Sequence, residues 1–227
     1  MNFKRIISIV LVCLMATMSM TAKVRKSKAP VKITCIGASI TEGAMTANPA
    51  TDSYPAQLGR MLGERYVVSN FGVGGCTMLR KGDCPYWEKE AYQQALASEP
   101  DIVFIDLGGN DSKAVNRVHM DEFVKDACEM IASFQNLPTK PRIIVLTPIV
   151  SFVEDSNGIY DEVICSKVSP KTIEAADRMR VEVLDMHSVL NRRPDLMPDC
   201  IHPNTEGSGL MARKMCDYLK AYPQQPS

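Results

Sequence analysis

The chain has 227 residues, 26 basic against 26 acidic side chains, 45% hydrophobic residues and eight cysteines. The charge balance argues against a nucleic-acid scaffold or polyanion binder, and the apolar fraction argues against a disordered chain. Eight cysteines are too sparse for a disulfide-stapled miniprotein, which leaves one soluble globular domain acting as an enzyme or a ligand-binding module.

Lys4 and Arg5 precede an apolar run, Ile6 to Ala16, and a small and polar stretch that ends at Ala22. This pattern reads as a secretory signal peptide over residues 1–22, with an uncleaved anchor as the alternative; the run is shorter than the roughly 20 residues a membrane span needs. Cleavage there leaves 227 − 22 = 205 residues, and 24 − 26 = −2 in charge, because only Lys4 and Arg5 are lost. It also removes Cys13, leaving an odd number of cysteines, so at least one thiol has no partner within the chain. Cys35, Cys128 and Cys216 fall in apolar periodic segments and read as small buried side chains, whereas Cys76 and Cys84 are a candidate local disulfide. No CxxC spacing occurs and the chain has only three histidines, so zinc has no sequence motif here.

After a linker over residues 23–30, two periodicities alternate. Val31–Ile36 reads as a buried strand, and Asp52 or Ser53 caps a helix with Tyr54, Leu58, Met61 and Leu62 on one face. Tyr66–Phe71 is a second strand, closed by Gly72–Gly75, and Glu88–Ser98 a helix ending before Pro100. Asp101–Leu107 reads as a third strand, Met120–Phe134 as an amphipathic helix and Arg142–Leu146 as a fourth strand. An irregular stretch and a helix broken at Pro170 lead to a fifth strand, Val181–Leu184, and Asn204 caps a last helix that buries Met211, Met215, Tyr218 and Leu219. Nearly all-apolar strands alternating with helices predict a three-layer α/β/α domain over residues 31–222, with a doubly wound, flavodoxin-like, five-stranded parallel sheet and a tail over 223–227. In such folds ligands bind beyond the carboxyl ends of the strands.

Four short segments lie at those ends. In Gly37-Ala38-Ser39-Ile40-Thr41-Glu42-Gly43, Ser39 is either a turn cap or a hydroxyl projected into a cleft. Gly72-Val73-Gly74-Gly75 resembles the start of a dinucleotide fingerprint, but Thr77 stands at the sixth position; a turn presenting backbone N–H groups accounts for it better. In Gly108-Gly109-Asn110-Asp111, Asn110 either stabilises a turn or donates to a developing oxyanion. In Asp199-Cys200-Ile201-His202-Pro203-Asn204, the aspartate can hold one ring nitrogen of His202 and leave the other for a proton; the alternative is a loop with a surface histidine. Asp185 and His187 form a second acid–histidine pair, disfavoured because residues two apart on an extended chain do not face each other, and His119 reads as a solvated residue opening a helix.

The four segments in this order resemble the SGNH (GDSL-type) hydrolases, over essentially all of residues 31–219. The resemblance implies an esterase with Ser39 as nucleophile, His202 as general base and Asp199 orienting the imidazole. Gly75, with Gly74 as its rival, and Asn110 would join the Ser39 N–H in the oxyanion hole, with no metal and no organic cofactor. Ala38 departs from the family's pattern, which has aspartate there.

Asn70–Gly75, Asp83-Cys84-Pro85-Tyr86-Trp87 and Gly109–Lys113 look like the carbohydrate-esterase branch, which includes sialate O-acetylesterase-like and acetylxylan esterase-like proteins. The expectation is an exported enzyme, periplasmic or extracellular, that acts on a small-molecule or glycan ester, with no nucleic-acid partner and no stable membrane insertion after cleavage. A lipase, lysophospholipase or thioesterase for longer chains is the second reading, and a non-catalytic glycan-binding module the third. Tyr86 and Trp87 are candidate substrate contacts or plain packing.

Overall fold

The computed structural model describes residues 29–223. The proposed signal peptide and nearly all of the linker and tail lie outside that range. Five strands, β1 (Val31–Gly37), β2 (Tyr66–Gly72), β3 (Ile102–Asp106), β4 (Arg142–Leu146) and β5 (Glu182–Leu184), form one sheet in the order β2-β1-β3-β4-β5, with every neighbouring pair parallel. The expected strands and the doubly wound arrangement are present, with ends differing by a residue or two.

Period-two alternation divides the core into two layers. Ile36, Val103, Ile105, Ile143 and Val145 face one side, where they meet Ala95 of α2 (Glu90–Ala97), Phe123 and Phe134 of α3 (Phe123–Gln135) and Ala176 of α4 (Ser169–Met179). Ile33, Cys35, Phe104, Ile144 and Leu146 face the other, against Tyr54 and Leu58 of α1 (Tyr54–Leu62) and Met211 and Met215 of α5 (Thr205–Ala221). A strand buried on both faces has to be apolar at every position, which is why β3 reads as a continuous hydrophobic run up to Asp106.

The helix boundaries show where local chemistry decides. Asn204 caps α5 by accepting the Gly207 N–H at 2.9 Å, as expected. The helix expected from Met120 starts at Phe123; His119 lies half-buried in the turn before it rather than opening it. Pro170 does not end its helix. It lacks the N–H that the Ser166 carbonyl would receive, and the chain widens into a π turn over Ile164–Val168 before α4 continues. Cys35 and Cys216 are buried as expected, Cys128 is half-buried, and the Cys76 and Cys84 sulfurs stand 3.6 Å apart as free thiols. Among the described residues, no helix is long and apolar enough to cross a membrane.

Candidate active site

Ser39 begins a single helical turn, Ser39–Glu42, directly after β1. That turn sits against the sheet because Gly37 and Gly72 have no side chain: a Cβ on Gly72 would lie 2.2 Å from the Glu42 nitrogen, and one on Gly37 would lie 2.0 Å from Thr41 Oγ1. Beneath it, Thr41 donates to the buried carboxylate of Asp106 at 3.0 Å and bonds the Tyr54 hydroxyl at 2.9 Å. Burial pushes Asp106 up to about 6, against the opposing hydrogen bonds from Thr41 and Tyr54. Asn70 ties the turn sideways, donating from Nδ2 to the Thr41 carbonyl at 2.7 Å.

The last loop reaches Ser39 across the sheet. The Ser39 Oγ lies 2.8 Å from His202 Nε2, and His202 Nδ1 lies 2.6 Å from Asp199 Oδ2. Asp199 also accepts the Ile201 and His202 backbone N–H groups at 3.0 and 2.7 Å, a closed turn that Cys200 permits by adopting φ +65°. Burial alone would raise the Asp199 carboxyl, but the His202 ring and the two backbone donors hold it below the ordinary aspartate range. The Cys200 carbonyl receives the Phe152 N–H at 2.8 Å, which anchors this loop to the segment after β4.

Asn110 is buried in the turn that follows β3, and its Nδ2 donates to the Cys76 carbonyl at 3.0 Å. The amide carries a second N–H, and Asn110 lines the pocket beside Ser39. The neighbouring Asp111 carboxylate receives the Met78 and Leu79 N–H groups at 3.0 and 2.8 Å, and Asn116 donates to the Asn110 carbonyl at 2.8 Å. These bonds join the loops after β2 and β3 into one unit. Gly75, at φ +78°, has no atom within 4 Å of where a Cβ would stand. Gly74 packs closer, and a Cβ there would be 2.9 Å from Glu42 Oε2 and 4.0 Å from Ser39 Cβ.

The pocket encloses about 430 Å³, its open mouth included, and its walls are mostly apolar: Pro148, Ile149, Ile159, Ile164 and Ile201 surround Ser39. Ser39, Asp199 and His202 are thus linked by hydrogen bonds, and Asn110 lines the same pocket. Gly75 lies in the turn after β2, outside the pocket lining.

Tyr86 and Trp87 are packing. Tyr86 is fully buried and donates to the Phe71 carbonyl at 2.6 Å, while Trp87 Nε1 donates to the Met78 carbonyl at 2.8 Å under the Arg80 guanidinium. Asp185 and His187 do not pair: Asp185 accepts from Thr147, and His187 faces Asp161 instead. The residues that sequence reasoning missed are Asp106, Asp111, Thr41, Asn70 and Asn116. For all but Asn116, which lies on the helical turn Ala114–Arg117, the signal was a polar side chain within or a few residues beyond an apolar strand, where burial obliges it to hold a partner.

A family model described as GDSL-like lipase/acylhydrolase matches residues 35–210. The chain is 37% identical over 209 residues to an acetylxylan esterase of Xylanibacter ruminicola, covering 84% of this chain and 42% of that protein. It is 25% identical over 157 residues to a GDSL esterase/lipase of Arabidopsis thaliana, covering 61% of each. The chain therefore spans about half the length of the curated relatives it matches. A carbohydrate acetylesterase from Sinorhizobium meliloti superposes with a TM-score of 0.69 at 19% identity, covering 84% of this chain and 99% of that one. A two-domain esterase active on acetylated mannans superposes with a TM-score of 0.67 at 20% identity, covering 95% of this chain and 53% of that one. These two share the fold. With the matched region spanning most of the sheet and both ends of the site, the chain belongs to the GDSL-like lipase/acylhydrolase family.

Proposed function

We propose that the protein is a serine esterase that removes short acyl groups, acetyl first, from carbohydrates. The observation that carries this reading is the continuous hydrogen-bonded line from Ser39 Oγ through His202 to Asp199, at 2.8 and 2.6 Å, at the edge of a small apolar pocket.

Ser39 attacks the ester carbonyl as His202 Nε2 takes its proton, and Asp199 holds Nδ1–H so that Nε2 faces the nucleophile. The tetrahedral oxyanion receives the Ser39 and Gly75 N–H groups and the free N–H of the Asn110 amide. As the acyl C–O bond breaks, His202 gives its proton to the leaving sugar oxygen, which departs as a hydroxyl, and water resolves the acyl-enzyme by the same path. The pocket walls Ile149, Ile159, Ile164 and Ile201 suit a small apolar acyl group. The carbohydrate half of the reading is supported by the relative named for acetylxylan and the fold neighbour active on acetylated mannans. We further read residues 1–22 as an export signal, which N-terminal sequencing of the secreted protein tests by a start at Lys23.

The test is an acyl-length series of aryl esters on the purified protein, followed by acetate release from acetylated xylan. Acetyl esters are expected to be the fastest substrates, and Ser39→Ala to lower kcat by about 10⁴-fold or more. Near-wild-type hydrolysis by Ser39→Ala overturns the mechanism, and a preference for long acyl chains overturns the substrate class.

A further inference from the structure

Behind the pocket wall lies a second group of reactive side chains. Asp161 comes from the turn that opens the broken helix, Cys165 from the π turn, and His187 from the segment after β5. His187 Nε2 stands 2.9 Å from Asp161 Oδ1 and 3.3 Å from Cys165 Sγ, and Cys165 Sγ stands 3.7 Å from Asp161 Oδ2. We propose that Asp161, Cys165 and His187 bind a borderline-soft divalent cation of the zinc class.

Three different donor types converge on one point. Around tetrahedral zinc, with bonds of about 2.0–2.3 Å to nitrogen, oxygen and sulfur, neighbouring ligand atoms lie about 3.4–3.6 Å apart. The three observed separations bracket that spacing, so small side-chain adjustments complete the face of a tetrahedron and leave the fourth position to water. The thiolate and imidazole select zinc or cobalt over the hard cations magnesium and calcium, which take oxygen ligands. On binding, the Cys165 proton leaves to solvent and a metal–sulfur bond forms. The carboxylate is oriented from behind, because Asp161 Oδ1 also accepts the Ser151 N–H at 3.1 Å.

The site has a clear mechanical consequence. Ser151 and Ile164 both line the pocket, Ile164 adjoins Cys165, and Ser151 Oγ donates to the Ile159 carbonyl at 2.6 Å. A bound cation therefore ties the wall that faces Ser39 to the end of β5. Asp161 and Cys165 stand four residues apart on the broken helix, but no sequence motif announces the site, because His187 stands 26 residues from Asp161 and joins them only through the fold.

Cobalt titration of chelator-treated protein, read by absorption, tests the site independently of hydrolysis. The expected result is one equivalent of Co²⁺ giving a thiolate-to-cobalt band in the near ultraviolet with visible ligand-field bands, and displacement by Zn²⁺. Cys165→Ser and His187→Gln are expected to weaken binding by about 100-fold or more and to lose the charge-transfer band or change its position. Ser39→Ala and Cys200→Ser are expected to bind as the wild type does. Absence of a thiolate band, or a band kept in Cys165→Ser and lost in Cys200→Ser, overturns the proposal. Circular dichroism on each variant separates lost ligation from lost folding.

Discussion

The carboxylate of Asp111 receives the backbone N–H of Leu79 at 2.8 Å, with that of Met78 at 3.0 Å beside it. This buried contact, one residue beyond Asn110, fixes the height of the loop that carries Gly75 relative to the loop that carries Asn110. Asp111→Ala leaves two backbone donors without an acceptor in a site that water reaches poorly. The expected cost is about 3 kcal/mol or more in urea unfolding, since hydrogen bonds to charged groups are worth about 1.5–3 kcal/mol each. In the fraction that folds, kcat is expected to fall more than KM rises, because the loops carry the donors proposed for the oxyanion. A KM effect alone would count against that role.

The glycines of the second segment separate by mechanism. Gly72→Ala drives a Cβ into the backbone of Thr41 and Glu42, so it is expected to move Ser39, to cost more than about 2 kcal/mol and to lower kcat at least tenfold. Gly75→Ala meets no atom and pays only for a left-handed backbone, about 1–2 kcal/mol. Thermal unfolding and kcat on the two variants are expected to rank them in that order, and equal losses contradict it.

Asn110→Ala removes the pocket-lining amide proposed as an oxyanion donor and is expected to lower kcat by about 10²–10³. Asp199→Asn preserves the shape of its turn but offers an N–H toward His202 Nδ1, which favours the wrong tautomer. The expected loss is up to about 10⁴ in kcat, with little change in the unfolding midpoint. An Asp199→Asn variant as active as the wild type would falsify the role given to that carboxylate.

Two buried carboxylates contribute to the pH dependence of stability. Asp106 and Asp111 are each pushed up from 3.8 to about 6, in both cases by burial against opposing hydrogen bonds. A raised carboxyl favours the folded state in its protonated form. Its contribution is complete below the ordinary value of 3.8 and is lost as pH rises through about 6. The unfolding midpoint is therefore expected to fall by about 5 °C or more between pH 4 and 7. Asp106→Asn is expected to reduce that slope by about half, because Asp111 keeps its own share. Asp199 acts the other way: its contribution is present above the ordinary value of 3.8 and is lost progressively as pH falls from there through its depressed value. Differential scanning across pH 4–7 checks the sign, and a midpoint that climbs through this window rejects it.

Much of the fold was legible in the sequence. Arg142–Leu146 matches its strand at both ends, and Asn204 caps α5 as its side chain and position imply, because apolar runs and capping chemistry act over a few residues. Ser39, Asn110, Asp199 and His202 were legible for the same reason: each follows a strand or opens a turn. Tyr86 and Trp87 were ambiguous, since an aromatic ring is equally suited to a sugar and to a core. Only the packing beneath Met78 and Phe71 decided between them.

What the sequence by itself determined is therefore local and periodic: five buried strands, their helices, and four polar segments at the strand ends. The tertiary structure decided which side chains from distant segments share a volume. Asp106 and Thr41, Asp111 and Leu79, and His187 and Asp161 stand 65, 32 and 26 residues apart in the chain. They meet because a parallel sheet brings the carboxyl ends of separate strands to one edge, where buried polar groups must find partners in one another.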